Sequence, residues 1–401
     1  MAQSISRPAH RERNWRGPNW VGALPGIVLL AAAATQAHAA QPAAAERKTP
    51  QATAASATPT LPYQQQLEPR YSAQEQAAQR ILEAQIRALG SAFNGDIGIA
   101  VKDIESGWTA SYDGNTLFPQ QSVSKFWVAL TALDKVDKGE LSLDRAVTLT
   151  KGDMTLFHQP IAQLIGPNGY STTIESLMTR AIQQSDNTCN DFVLWRAGGP
   201  EAVRSFLREK GLSGIRFGPG ERLLQSRIAG MEWKQSYAYN GGFYAARNAV
   251  PASTRRAAFE RYISDPMDGA TPLGTVEALA KLKKGELLSP PSTQKLLSIM
   301  SNTKTGAQRL KGGLAPGWRL AHKTGTGQVL GGVQAGYNDI GIVTAPDGRS
   351  YAVAVLIRRT AAPLGHRMSV MQNTVRSVIS YHGNLEGYDF ARTRGGETGS
   401  R

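Results

Sequence analysis

Cysteine is almost absent from this chain. Cys189 is the only one in 401 residues, so neither an internal disulfide nor a cysteine-based metal site can form. Its expected place is a small buried position. The six histidines are scattered without an H-x-x-x-H pair, and no zinc mechanism, metal or other cofactor is expected. Aromatic residues make up only 7%, with no run of Lys and Arg and no RNP-like pattern, which argues against nucleic acid as a partner. No internal repeat is visible. Beyond Ala34 no apolar stretch approaches about 18 residues, so no stable membrane anchor is expected. What is present suffices for a buried core: 41% hydrophobic and 19% charged residues fit one large or two ordinary domains. Lys and Arg number 45 against 31 Asp and Glu, a formal charge of +14, which makes an anionic surface or polymer a plausible neighbour.

Residues 1–39 have the pattern of a cleaved signal peptide. Arg7, Arg11, Arg13 and Arg16 precede an apolar run from Val21 to Ala34, and Ala37-His38-Ala39 follows as an A-x-A cleavage site. The mature protein is therefore expected in the periplasm or outside the cell. No cysteine follows the run, which excludes a lipoprotein anchor. Residues 40–70, rich in Ala, Pro, Thr and Gln, are expected to be a disordered linker.

Folding is expected over 71–387. Ala77, Ile81, Leu82, Ile86 and Leu89 recur at helical spacing, with Gly90 as a stop. Ile97, Ile99, Val101 and Ile104 predict a strand, and Tyr112-Asp113-Gly114-Asn115 a turn. At the far end Ile340–Thr344, the turn Asp347-Gly348 and Tyr351–Ile357 predict a hairpin, followed by a helix through Met368, Met371, Val375 and Val378. The economical arrangement is α/β of the α+β type: terminal helices on one antiparallel sheet (about 71–130 and 305–387) and a helical part (about 131–304). Residues 388–401 are expected to form a flexible tail.

Three motifs carry chemistry. Ser122-Val123-Ser124-Lys125 precedes the apolar helix pattern Phe126, Trp127, Leu130, Leu133, so Ser122 stands near a helix N-terminus one turn from Lys125. A serine hydroxyl is a weak nucleophile at neutral pH, and a desolvated amine within reach can take its proton. The helix terminus directs backbone N–H groups at a developing oxyanion. Ser185-Asp186-Asn187 sits between two helical runs, and Lys323-Thr324-Gly325-Thr326 closes a short strand whose edge can hold an extended ligand. Singly, each is commonplace.

Together, in the order S-x-x-K, S-D-N, K-T-G, they resemble the penicillin-recognising serine hydrolases, and most closely the class A serine β-lactamases, over residues 72–385. The resemblance implies a five-stranded antiparallel sheet flanked by helices, an all-helical subdomain and an active site between them. It implies hydrolysis of penicillin and cephalosporin amides through an acyl-enzyme by a monomer, with Ser122 as nucleophile and Lys125 in its activation. The acylation base, Lys125 or a carboxylate acting through water, stays open. Ser185 would relay a proton to the leaving nitrogen, and Asn187 would orient Lys125 and the substrate's amide oxygen. Lys323, Thr324, Gly325 and Thr326 would bind the substrate, with Thr326 also closing the oxyanion site. Glu221, in Glu221-Arg222-Leu223-Leu224-Gln225, matches the family's E-x-x-L-N loop and would be the deacylation base, preferred to Glu209 and Glu232. Gln225 and Asp191 both stand where the family usually has Asn. Arg309 falls at one of the family's positions for an arginine that assists the substrate carboxylate. His158 or Phe157 falls near its aromatic gatepost.

The stretch after Gln225 is much longer than the family's loop, giving an insert at about 226–268. Trp233, Tyr237, Tyr239, Phe243 and Tyr244 in it either line the cleft or plug a satellite core; the plug is the expectation. Two other functions compete: a periplasmic penicillin-binding D,D-peptidase in which Glu221 is incidental, and a non-catalytic wall-binding protein.

Overall fold

The computed structural model describes residues 71–395. The expected signal peptide and linker, and residues 396–401, lie outside them. Helix α1 (Ala73–Ser91) starts at a capping box: Ser72 Oγ accepts from the Glu75 backbone at 3.1 Å, and Ser72 N–H donates back to the Glu75 carboxylate at 2.7 Å. Its buried face is Ala78, Leu82 and Ile86, while Ile81 is exposed. Gly90 does not stop the helix. It lies inside the last turn, where a Cβ would come within 2.2 Å of the Tyr112 ring, so glycine is there for close packing.

Strands β1 (Asp96–Asp103), β2 (Thr109–Tyr112) and the short β3 (Phe118–Pro119) follow, and then helix α2 (Lys125–Asp137). The middle of the chain carries β4 (Ala146–Leu149), β5 (Tyr170–Thr173), α3 (Ile174–Gln183), α4 (Asn187–Arg196) and α5 (Gly199–Glu209). Next come α6 (Glu221–Ile228), α7 (Gly242–Ala249), α8 (Ala252–Ser264), β6 (Gly269–Ala270), α9 (Pro272–Lys283) and α10 (Pro290–Ser301). The chain returns through β7 (Arg319–Thr326), β8 (Val329–Leu330), β9 (Val333–Ala335), β10 (Tyr337–Thr344) and β11 (Ser350–Thr360) to α11 (Leu364–Gly395). The last helix continues past residue 388, where a loose tail is expected.

Five strands form the main antiparallel path in the order β2-β1-β11-β10-β7, and the β8–β9 hairpin joins it where β9 pairs with β11. Side chains alternate across this sheet as the period of two requires. Val353, Val355 and Ile357 of β11 face the core shared with α1 and α11, which holds Leu82, Ile86, Met371 and Val375. Ala352, Ala354 and Leu356 face the core shared with the helical part, which holds Trp127, Leu130 and Leu177. Helix α9 packs on β1 and β11, although it lies in the 131–304 stretch expected to form the helical part. Among the described residues no helix is long and apolar enough to cross a membrane.

Candidate active site

Strand β3 leads into a tight turn, Gln121–Ser124, that runs straight into α2 and sets Ser122 at the mouth of that helix. Gln121 takes a φ of +54°, costly for a side-chain-bearing residue. Two buried groups hold it there: its N–H donates to Asp268 Oδ2 at 2.8 Å, and its amide donates to the Tyr262 hydroxyl at 2.5 Å. Lys125, the first residue of α2, is fully buried because Phe126, Trp127 and Leu130 carry the helix into the core. Its Nζ lies 2.7 Å from Ser122 Oγ and forms an ion pair with Glu221 Oε1. A buried ammonium needs such a partner.

Glu221 opens helix α6, directly after Gly220 at φ +93°, so the expected loop residue is the first of a helix. The carboxylate of Asp191 caps that helix from α4. Its Oδ1 accepts from Glu221 N at 2.9 Å and its Oδ2 from Arg222 N at 3.3 Å, two donors that a helix leaves free. Burial first, and the nearby Glu221 charge second, raise the Asp191 carboxyl to about 6. Gln225, one turn on, donates from Nε2 to Glu221 Oε2 at 3.2 Å and to Gln121 Oε1 at 2.9 Å.

Ser185 sits at φ +61°, and Asp186 locks the bend by accepting from Cys189 N and Ile161 N. Lys323 Nζ donates to Ser185 Oγ at 2.9 Å from β7. Burial, then the charge of Lys125, push the Lys323 amine well below its usual range. Asn187 makes no hydrogen bond to Lys125: its Nδ2 donates to Leu156 O at 2.9 Å, and its Oδ1 is buried without a partner. Thr324 pairs with Thr305 through their hydroxyls at 2.7 Å. Gly325 lets β7 approach the nucleophile turn, since a Cβ would lie 2.3 Å from Gln120 O. Arg309 is buried over the Tyr337 ring, 3.8 Å from its centroid, and donates to Gly325 O, Asn338 O and Thr326 Oγ1.

These elements enclose a cleft of about 590 Å³ lined by Ser122, Ser185, Asn187, Gln225, Thr324 and Thr326, with Arg309 and, at its edge, exposed His158. Lys125, Glu221 and Lys323 lie buried behind this lining. Phe157, not only His158, lines the cleft. The insert does both things its aromatics allow. Phe243, Trp233 and Tyr237 plug a small core with Leu156, Ala229 and Met231, whereas Tyr244 lines the cleft beside Arg247. Sequence reasoning missed Gln121, Tyr262, Asp268, Thr305, Gln328 and Arg247. Arg247, Tyr262 and Asp268 lie in the insert already singled out, but the glutamines carry no signal that marks them. Among the described residues no cluster of His, Cys, Asp and Glu could hold a metal.

The family model described as the beta-lactamase enzyme family matches residues 80–380. Beta-lactamase VEB-1 of Pseudomonas aeruginosa is 27% identical over 304 residues, covering 76% of this chain and 91% of that protein. The crystal structure of TLA-3 extended-spectrum beta-lactamase superposes with a TM-score of 0.62 at 27% identity, covering 76% of this chain and 98% of that one. The ancestral (GNCA) class A beta-lactamase gives 0.58 at 29% identity, covering 75% of this chain and 99% of that one.

Proposed function

Since this chain belongs to the beta-lactamase enzyme family, as a class A serine hydrolase of the β-lactam amide, we propose that Ser122, Lys125, Ser185 and Glu221 divide the cycle among them. The Ser122 proton passes to the Lys125–Glu221 pair as Oγ attacks the β-lactam carbonyl. The backbone N–H groups of Ser122 and Thr326 stabilise the oxyanion. The proton taken from Ser122 is relayed from Lys125 to Ser185, which, held by Lys323, passes its own to the ring nitrogen as the C–N bond breaks. This leaves an ester on Ser122, with Ser185 again a hydroxyl and Glu221 again a carboxylate. Glu221 then takes a proton from water, positioned with the Gln225 amide; the hydroxide adds to the ester carbonyl, the C–Oγ bond breaks to release the acid, and the proton held by Glu221 returns through Lys125 to Ser122 Oγ. Thr324, Thr326, Lys323 and Arg309 hold the substrate carboxylate, and the free Asn187 Oδ1 accepts from the side-chain amide N–H.

The observation that carries this reading is the continuous contact from Ser122 Oγ at the cleft through buried Lys125 Nζ to buried Glu221. The experiment is hydrolysis of a chromogenic cephalosporin beside an intact-mass time course. Ser122→Ala should abolish turnover, and Glu221→Gln should trap a mass adduct. Turnover surviving in Ser122→Ala refutes the nucleophile. Long-lived adducts on the unaltered protein would favour a D,D-peptidase instead. Export as a monomer, with residues 1–39 removed, is part of the same proposal. N-terminal sequencing of the secreted protein and its elution volume test it.

A further inference from the structure

Helix α7 of the insert brings a guanidinium to the cleft that the proposed cycle does not use. Arg247 lines the cleft with Tyr244, its guanidinium carbon 5.6 Å from that ring's centroid. Its Nε is buried and has no hydrogen-bond partner. It forms no ion pair among the described residues, and no Asp or Glu lines the cleft. Arg309, the other arginine there, is already engaged by two backbone carbonyls and Thr326. Arg247 is therefore the cleft arginine whose guanidinium has no hydrogen-bond or ion-pair partner among the described residues.

Its platform is fixed. Phe243 is 2% exposed and meets the Phe157 ring edge-on at 4.7 Å, so α7 is anchored in its own small core. The same contacts place Arg247 on a particular wall. Tyr244 contacts Phe157 at 6.0 Å, and the next residue, His158, accepts the Asn187 N–H at its carbonyl at 2.9 Å. Arg247 thus belongs to the wall that carries Asn187, while Arg309, Thr324 and Thr326 form the wall of β7. A β-lactam whose ring carboxylate lies on β7 and whose side-chain amide meets Asn187 sends its side chain toward Arg247.

We propose that Arg247 is a specificity-determining residue that selects β-lactams with a second carboxylate on the acylamino side chain. A guanidinium fork matches a carboxylate in two parallel hydrogen bonds, and partial burial strengthens them. The inference rests on the hydrolase reading and adds the substrate class to it.

The test compares kcat/KM for benzylpenicillin and its α-carboxy derivative, which differ only by that carboxylate. Arg247→Ala should lower the ratio of α-carboxybenzylpenicillin to benzylpenicillin about tenfold, mainly through KM, the worth of one charge-assisted hydrogen bond. Arg247→Lys, which keeps the charge without the fork, should give an intermediate ratio. A ratio unmoved in both variants, with both penicillins still hydrolysed, overturns the subsite and leaves the hydrolase reading intact. Failure of the unaltered protein to turn over either penicillin overturns the hydrolase reading and this inference with it.

Discussion

Gln225 carries one methylene more than the asparagine usual at its position, and its neighbours take up the extra length. Gln121 accepts from its Nε2 at 2.9 Å, and Gln328 Nε2 donates to its backbone oxygen at 2.9 Å and to its Oε1 at 3.0 Å. The longer amide is thereby pinned beside Glu221, where it can orient the deacylating water. Gln225→Ala should slow deacylation about ten- to a hundredfold, since misplacing a reactant by about 1 Å has that order of effect. Stopped-flow traces would then gain a burst of acylation before a slow steady state. A fall in the burst rate with no change in the steady-state limit would contradict it. Ser122 and Lys125 were legible because one helical turn joins them in sequence. Gln121, Tyr262 and Asp268 were not, because Gln121 lies 141 and 147 positions from those two partners and glutamine has no signature of its own.

Among the elements, β7 and α7 make the cleft's two walls, and each depends on a single residue for its place. Gly325 has no room for a side chain: the obstacle is the backbone oxygen of Gln120, which a rotamer change cannot remove. Gly325→Ala should therefore push β7 or the Ser122 turn aside and cut kcat/KM about a hundredfold, with the melting temperature lowered as well. An alanine variant of full activity would mean that the strand tolerates the shift. Phe243 anchors α7, so Phe243→Ala should cost about 3 kcal/mol in chemical denaturation, from lost burial and the cavity left behind. If α7 held itself without this anchor, the loss would be well under 1 kcal/mol. The elements at both ends of the chain could be read from hydrophobic period, since the DG turn and the alternation in β10 and β11 are local. Gly90 misled because a glycine kept for close packing against Tyr112 is indistinguishable, in sequence, from one that ends a helix. The insert stayed ambiguous because the same aromatics suit a plug and a wall.

At the scale of the molecule, the helical part and the sheet meet over a set of buried acids whose protons link the fold to pH. Asp268 accepts from Gln121 N and Tyr262 OH, its Oδ1 has no partner, and burial raises its carboxyl to about 7 from an ordinary 3.8, with the Glu221 charge adding to the rise. Such a group binds a proton in the folded chain over a range where the unfolded chain has released it. Its stabilising contribution is therefore complete below about pH 3.8 and is lost as pH climbs through about 7. Asp268→Asn fixes the neutral form and keeps an oxygen for Gln121. The melting temperature of the variant minus that of the unaltered protein should grow more positive from about pH 5 to about pH 8, with a change on the order of 1–3 kcal/mol in relative stability. Titration of Asp191 and of the surface ion pairs is common to both proteins and cancels in the difference. A difference that stays flat across this range would mean that Asp268 keeps an ordinary carboxylate pKa inside the fold, and that the strained Gln121 turn is held by a charge at every pH.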